Sequence, residues 1–336
     1  MRRYEPGLEG APSGIGRVGV AFLLCLALAA GARAADDKKN DPSQIGNRDV
    51  GSGVNFYSIE KEIALGRQLA QEVERQSKLV DDPIIAEYVN RLGQNLVRHS
   101  DAKFPFSFKV VDDPGLNAFA LPGGYVFVNR GLIEIADEED ELAGAMAHEI
   151  AHVAARHTTR QATRSDMARL LSVPASVLLG GWGGFAARQA AGVALPAAFF
   201  SFSRKDESEA DYLGVQYMYA AGYDPNGTIS IFEKMESLER RIPGLVSRLF
   251  ATHPPDAERI RRTQEEIERI LPAKPEYVVT TSEYSAMRQR LIDLGSSRRN
   301  DEPERRPRLR TAPGAVPGQA PDAGDPPSLG KRKPGK

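Results

Sequence analysis

This chain of 336 residues is poor in cysteine, with one, and in histidine, with five, and 44 basic against 45 acidic side chains leave a formal charge of −1. Each shortage removes a class of function. A near-neutral chain lacks the field that gathers polyanions, so nucleic acid is not an expected partner. The lone Cys25 lies inside the apolar stretch "VGVAFLLCLALAAGARA", preceded by Leu23 and Leu24. A lipidation signal needs a small residue there, so lipidation is not expected. If this stretch is removed, no disulfide can form, and a metal site must use histidine and carboxylate. Long apolar runs are short or broken. Residues 170–187 carry no charge, but Pro174, Pro196 and "GGWGG" interrupt the region 165–203. Buried or substrate-facing helices are therefore favoured there over membrane insertion.

What is present begins with an address. Arg2, Arg3 and Arg17 precede the apolar stretch, which ends in Ala32-Arg33-Ala34. A basic start, about a dozen apolar residues and a small-x-small end predict a signal peptide over 1–34 and an exported, periplasmic protein. Polar residues 35–54 read as a linker, 55–296 as the folded domain, and the Pro-rich stretch 297–336 as a disordered tail. Apolar spacing predicts helices from Ile59 to about Val80 and from Pro83 onward, then at about 204–220, 225–240 and 255–270. Between them, "FSFKVVDDPGLNAFALPGGYVFVNRGLI" reads as short antiparallel strands with tight turns, and "EYVVTTSEYSAMRQRL" as a strand and a short helix. The expected class is α+β, mainly helical, with a small antiparallel sheet.

"AMAHEIAHVAARHTTR" places three histidines and a glutamate within ten positions, His148-Glu149-x-x-His152 among them, after the acidic run "DEEDE". On a helix, residues four apart lie about 40° apart around the axis and one turn apart along it. Both imidazoles can then share one cation, and Glu149 can reach water held on it without occupying it. Zinc, one per chain, suits such a set with a position left open. Glu149 is the candidate general base. His157, nine past His148, falls about 180° away on the opposite side of the helix, so it reads as a structural or capping residue. The third ligand must come from elsewhere. In "SRKDESEADYLG", Glu207 and Asp211 stand four apart on a predicted helix. Glu207 is the candidate ligand and Asp211 the carboxylate that orients a metal-bound histidine. Glu209 and Asp206 compete for the ligand role.

"NAFALPGGYVFVNRGLI", "ELAGAMAHEIAHVAARH", "SRKDESEAD" and "THPPDAERI" follow one another in an order that resembles metallopeptidase family 48, the HtpX and CAAX-prenyl-protease relatives, and within it the soluble exported branch. The resemblance covers about residues 55–295. It implies a gluzincin fold, zinc on His148, His152 and Glu207, Asp211 four past the glutamate ligand, and endopeptidase activity on misfolded or unassembled proteins.

Two further expectations are physical. "GGYVFVNRG" should border the cleft as a strand to which an extended substrate adds its backbone, with Asn117, Ala118, Phe119, Gly124, Tyr125 and Val126 as candidate contacts. His253 in "THPP" is a candidate donor to the developing oxyanion, or a ligand that holds the enzyme latent. The competing readings are a zinc-retaining chaperone-like module that rarely cuts and a membrane-bound processing protease.

Overall fold

Several helices in this protein begin where a side chain accepts the unpaired amides of a first turn. In the computed structural model, which describes residues 41–51, 53–172, 202–241 and 257–301, Ser58 caps α1 (Ile59–Gln76) by accepting from the Lys61 amide. Asp82 accepts from the amides of Ile84 and Ile85, and Pro83 fills the first position of α2 (Pro83–Arg98). Ile85, Tyr88, Val89, Leu92 and Leu96 make the buried face of α2. Then come α3 (Arg130–Ile135), α4 (Glu139–Ala154), α5 (His157–Ser172), α6 (Arg204–Ala221), α7 (Asn226–Arg241), α8 (Ala257–Ile270) and α9 (Ser282–Asp301). The expected signal peptide, residues 173–201, His253 and the chain beyond Asp301 lie outside the described residues. Among the described residues no helix is long and apolar enough to cross a membrane. The chain divides into two units, Met1–Leu294 and Gly295–Lys336, and the site described below belongs to the first.

Three strands, β1 (Ser107–Val111), β2 (Ala118–Leu121) and β3 (Tyr125–Asn129), form one sheet in the order β1-β3-β2. The expected all-antiparallel sheet is instead mixed. β2 and β3 make an antiparallel hairpin, Leu121 opposite Tyr125, around Gly123 and Gly124, whose φ values of 75° and 93° favour glycine. β1 pairs parallel to β3, Ser107 opposite Tyr125. The "DDPG" turn after β1 carries the chain past one strand position, and β3 fills the gap. Turn residues mark where a strand ends; they do not say which strand becomes its neighbour.

That order also corrects the expected substrate strand. β3, with Tyr125 and Val126, is central and paired on both sides, so no substrate strand can add to it. The outer side of β1 is covered too: Val80 N–H donates to Val110 O at 2.9 Å, and Asp112 N–H to Lys78 O at 2.8 Å. Among the described residues no strand pairs with the outer side of β2, which carries Ala118 and Phe119.

α4 is the central element, with every residue but Ala145 buried. Its small residues let α6 and α7 approach closely. A Cβ on Gly144 would lie 2.7 Å from Thr228 Oγ1 of α7. The acidic run does not merely precede this helix; it forms its first turn. Glu138 and Glu141 make a reciprocal capping box. Tyr223 donates to Glu139 at 2.9 Å, and Lys234 pairs with Glu141 at 2.7 Å.

Two other expectations change. "EYVVTT" makes one isolated bridge, Val278 to Tyr223, and not a strand; the helix after it is long, Ser282–Asp301. The described part of the stretch read as a linker is docked. Arg48 forms a buried ion pair with Asp101 at 2.6 Å, and Tyr217 donates to the same carboxylate at 3.0 Å. Composition registers residues 41–51 as polar, but an arginine buried by a distant aspartate looks, in sequence, like one in solvent.

Candidate metal centre

Helical spacing brings His148 and His152 onto one face of α4, and burial presses that face against α6. The two Nε2 atoms lie 3.0 Å apart. Glu207, in the first turn of α6, faces both: Oε2 is 3.4 Å from His148 Nε2 and Oε1 3.5 Å from His152 Nε2. The three groups can each offer one ligand atom within 4.8 Å of the others, and all three are buried. Ser203 positions Glu207: its hydroxyl accepts from the Asp206 amide in a capping box that starts α6. Glu149 is buried beside His148 on the same helix.

Asp211 does not join this set. One turn past Glu207, its Oδ1 lies 3.0 Å from His148 Nδ1, on the far side of the ring from Glu207. The two candidate competitors are also placed. Asp206 accepts from Ser203 Oγ at 2.7 Å and from Arg164 at 2.9 Å. Glu209 points away from the centre, accepting from the Gly51 amide at 2.9 Å and lying 3.4 Å from His157 Nε2. His157 itself is 1% exposed and sits with its Nδ1 3.0 Å from His152 Nδ1.

A placement of His157 opposite His148 presumes a continuous helix. The helix stops at Ala154, and Arg156 takes a left-handed φ of 56° before α5 starts at His157. The chain turns back, and the third histidine lands behind the second.

Sequence reasoning missed Arg259. From α8 its Nη2 donates to Asp211 Oδ1 at 2.7 Å and its Nε to Asp211 Oδ2 at 2.9 Å, while Nη1 lies 3.2 Å from Glu207 Oε2. Its guanidinium also lies 4.9 Å over the Phe232 ring. The residue lies within "THPPDAERI", but one arginine among four in this helix carries no periodic mark. Only its burial, against the face of α6 that carries Glu207 and Asp211, distinguishes it.

Charge in this centre is balanced by neighbours. Burial opposes a charge on His148, yet its hydrogen bonds with Asp211 and Glu207, and their charges, push its pKa up to about 9. Burial likewise works against ionised Asp211, but the Arg259 charge and the contact with His148 hold its carboxyl below the usual range. The space between the two Nε2 atoms and Glu207 thus favours a positive charge. The donor set fits a metal ion: two imidazole nitrogens and one carboxylate converge, and each imidazole has its other nitrogen against a hydrogen-bonding neighbour.

Comparison with known proteins points the same way. The profile of peptidase family M48 matches residues 83–267. A protein of Vibrio cholerae serotype O1 is 33% identical over 282 residues, 80% of this chain and 56% of its own length. The beta-barrel assembly-enhancing protease of Escherichia coli strain K12 is 29% identical over 264 residues, 75% of this chain and 53% of that protein. The mitochondrial metalloendopeptidase OMA1 of Schizosaccharomyces pombe is 36% identical over 181 residues, 53% of this chain and 52% of that protein. The chain spans about half the length of these relatives.

Proposed function

The chain belongs to peptidase family M48, and on that premise we propose that it is a zinc-dependent endopeptidase that cuts misfolded or unassembled exported proteins in the periplasm. One observation carries the reading: the convergence of His148, His152 and Glu207 on one buried point. Two nitrogens and one oxygen with a position left open are the ligand set of catalytic zinc, which supplies Lewis acidity to the scissile carbonyl and to water.

The chain's own residues do the rest. Glu149 is the base: its carboxylate takes a proton from the attacking water and delivers it to the amine that leaves when the C–N bond breaks. Asp211, its Oδ1 3.0 Å from His148 Nδ1, stands where it takes the Nδ1–H of a metal-bound ring, which leaves the Nε2 lone pair free for the metal. Arg259 fixes Asp211 through a two-pronged contact and steadies Glu207 through its third nitrogen.

An extended substrate adds along β2, the outermost strand, where Asn117, Ala118 and Phe119 lie, with Gly124, Tyr125 and Val126 supporting it from the turn and from β3. His253 is the candidate oxyanion donor; it precedes Arg259 by six residues, and Arg259 already touches Glu207. The exported setting rests on the signal-like start of the chain and on the name of the Escherichia coli relative, which refers to β-barrel assembly.

The test is digestion of unfolded casein by the zinc-loaded full chain. Cleavage that disappears on chelation and in Glu149→Gln, with zinc still bound by that variant, is the expected result. Zinc-loaded parent that leaves casein intact, alone and with His253→Ala, would overturn the endopeptidase reading in favour of a binding module.

A further inference from the structure

His148 and His152 are one helical turn apart, but what lies behind them differs. His148 Nδ1 meets a carboxylate directly, Asp211 at 3.0 Å. His152 Nδ1 meets another imidazole, His157 Nδ1 at 3.0 Å. Beyond it, His157 Nε2 lies 3.4 Å from Glu209 Oε2 and 4.0 Å from Asp206 Oδ1. Asp206 is already engaged by Ser203 and Arg164. Glu209 uses its other oxygen on the Gly51 amide, so the nearer oxygen is the one turned to His157.

We propose that His157 and Glu209 are positioning residues for the metal ligand His152, joined to it in a two-step hydrogen-bonded relay. The inference rests on the metal reading above and deepens it. Its logic is that of tautomers. A His152 that gives its Nε2 lone pair to a metal carries its proton on Nδ1. The neighbour of that N–H, 3.0 Å away, must then accept, so His157 Nδ1 is unprotonated. A neutral His157 therefore carries its proton on Nε2, where Glu209 stands as acceptor. Metal binding at one end thus dictates the arrangement of two rings and a carboxylate.

The fold holds this relay rigidly. The left-handed Arg156 directs the chain back so that His157 meets His152. Its guanidinium is clasped by α1 and the residue before its cap: Nε donates to Glu62 at 2.7 Å and Nη2 to the Tyr57 carbonyl. Thr159, in the first turn of α5, donates to the same Glu62 oxygen. A left-handed conformation in a non-glycine residue is held only by such surroundings. His152 is further fixed by the Phe202 ring, 4.2 Å between centroids.

The experiment uses the full chain carrying Glu149→Gln, which prevents self-cleavage. Zinc affinity is read by competition with a chromophoric chelator, and site geometry by the visible absorption of the cobalt(II)-loaded protein. His157→Leu, which keeps the volume and removes the acceptor, is expected to weaken zinc binding roughly 10- to 100-fold and to alter the cobalt bands. His157→Asn, whose Oδ1 can take the place of the Nδ1 acceptor, is expected to recover most of the affinity. Glu209→Ala, which also removes the acceptor of the Gly51 amide, should weaken binding by a smaller factor, with the unfolding temperature of the metal-free protein as the control for folding, and it carries the test if His157→Leu does not fold. Parental affinity and spectrum in His157→Leu or, where that variant does not fold, in Glu209→Ala would overturn the relay. Equal losses in His157→Leu and His157→Asn would also overturn it, since packing and not the acceptor would then matter. A parent that binds no zinc at all would instead overturn the metal reading, and the relay with it.

Discussion

The two ends of the HExxH turn are supported by different parts of the molecule. Behind His148 stands a charged assembly, Asp211 of α6 locked by Arg259 of α8, with all three side chains buried. Behind His152 stands the chain's own continuation, His157, followed by Glu209, whose side chain is 26% exposed. A hydrogen bond with an ionised partner is roughly twice as strong as a neutral one. The His148 side is therefore the stronger anchor, and it depends on two helices far along the chain. The His152 side is weaker, and it depends on one break in one helix. A histidine pair that is symmetric in sequence is thus asymmetric in energy, because each ring is held by whatever the fold brings behind it.

The comparison can be broken most severely at Asp211. Asp211→Asn strands Arg259 without its carboxylate, and zinc affinity should fall roughly 100-fold, with about 3 kcal/mol lost from unfolding free energy; chelator competition and denaturant melts read the two. Arg259→Lys comes next. A lysine cannot span Asp211 and Glu207 as the forked guanidinium does, so a loss of about tenfold in zinc affinity is expected while the fold persists.

On the weaker side, Glu62→Gln loosens the clasp on Arg156. Zinc affinity should drop only a few-fold, with about 1 kcal/mol of stability lost, and Asp211→Asn in the same chain should add to this without synergy.

Asp140 sharpens the contrast from the other end of α4. Like Asp211 it is a buried aspartate, but burial, then Asp224 and Glu141, push its pKa up to about 7. The folded protein then holds a proton that the unfolded chain releases near its ordinary value. Asp140 therefore costs nothing below about pH 4, and its penalty grows as pH rises to about 7. Asp140→Asn should raise the unfolding temperature at pH 8, by the equivalent of about 1 kcal/mol, and leave it unchanged at pH 4. An equal rise at both pH values would show that its charge is not the cause.

Much of this centre is legible in the sequence. The four-residue spacings of His148 with His152 and of Glu207 with Asp211 state which side chains share a face, because helical geometry is local. Caps and prolines locate most helix starts, Pro83 among them. Arg259 is not legible, since nothing in "DAERI" marks which polar residue turns inward. Nor is His157. The rule that places it opposite His148 is sound for a helix, but it fails across a helix end that has neither glycine nor proline to announce it; the clasp from Glu62, 94 residues earlier, holds that turn.

By itself, then, the sequence determined most of the helix starts, the HExxH face, the carboxylates four apart on a second helix and the hairpin at Gly123 and Gly124. Each is a matter of spacing or backbone preference within a few residues, and each is specified by the residues concerned. The tertiary structure alone decided that β3 is central and β2 outermost, that Arg48 is buried on Asp101, that Arg259 locks Asp211, and that His157 and Glu209 stand behind His152. These are contacts between residues distant in sequence or across a break. Their existence depends on the whole core closing around α4, which no short stretch of sequence encodes.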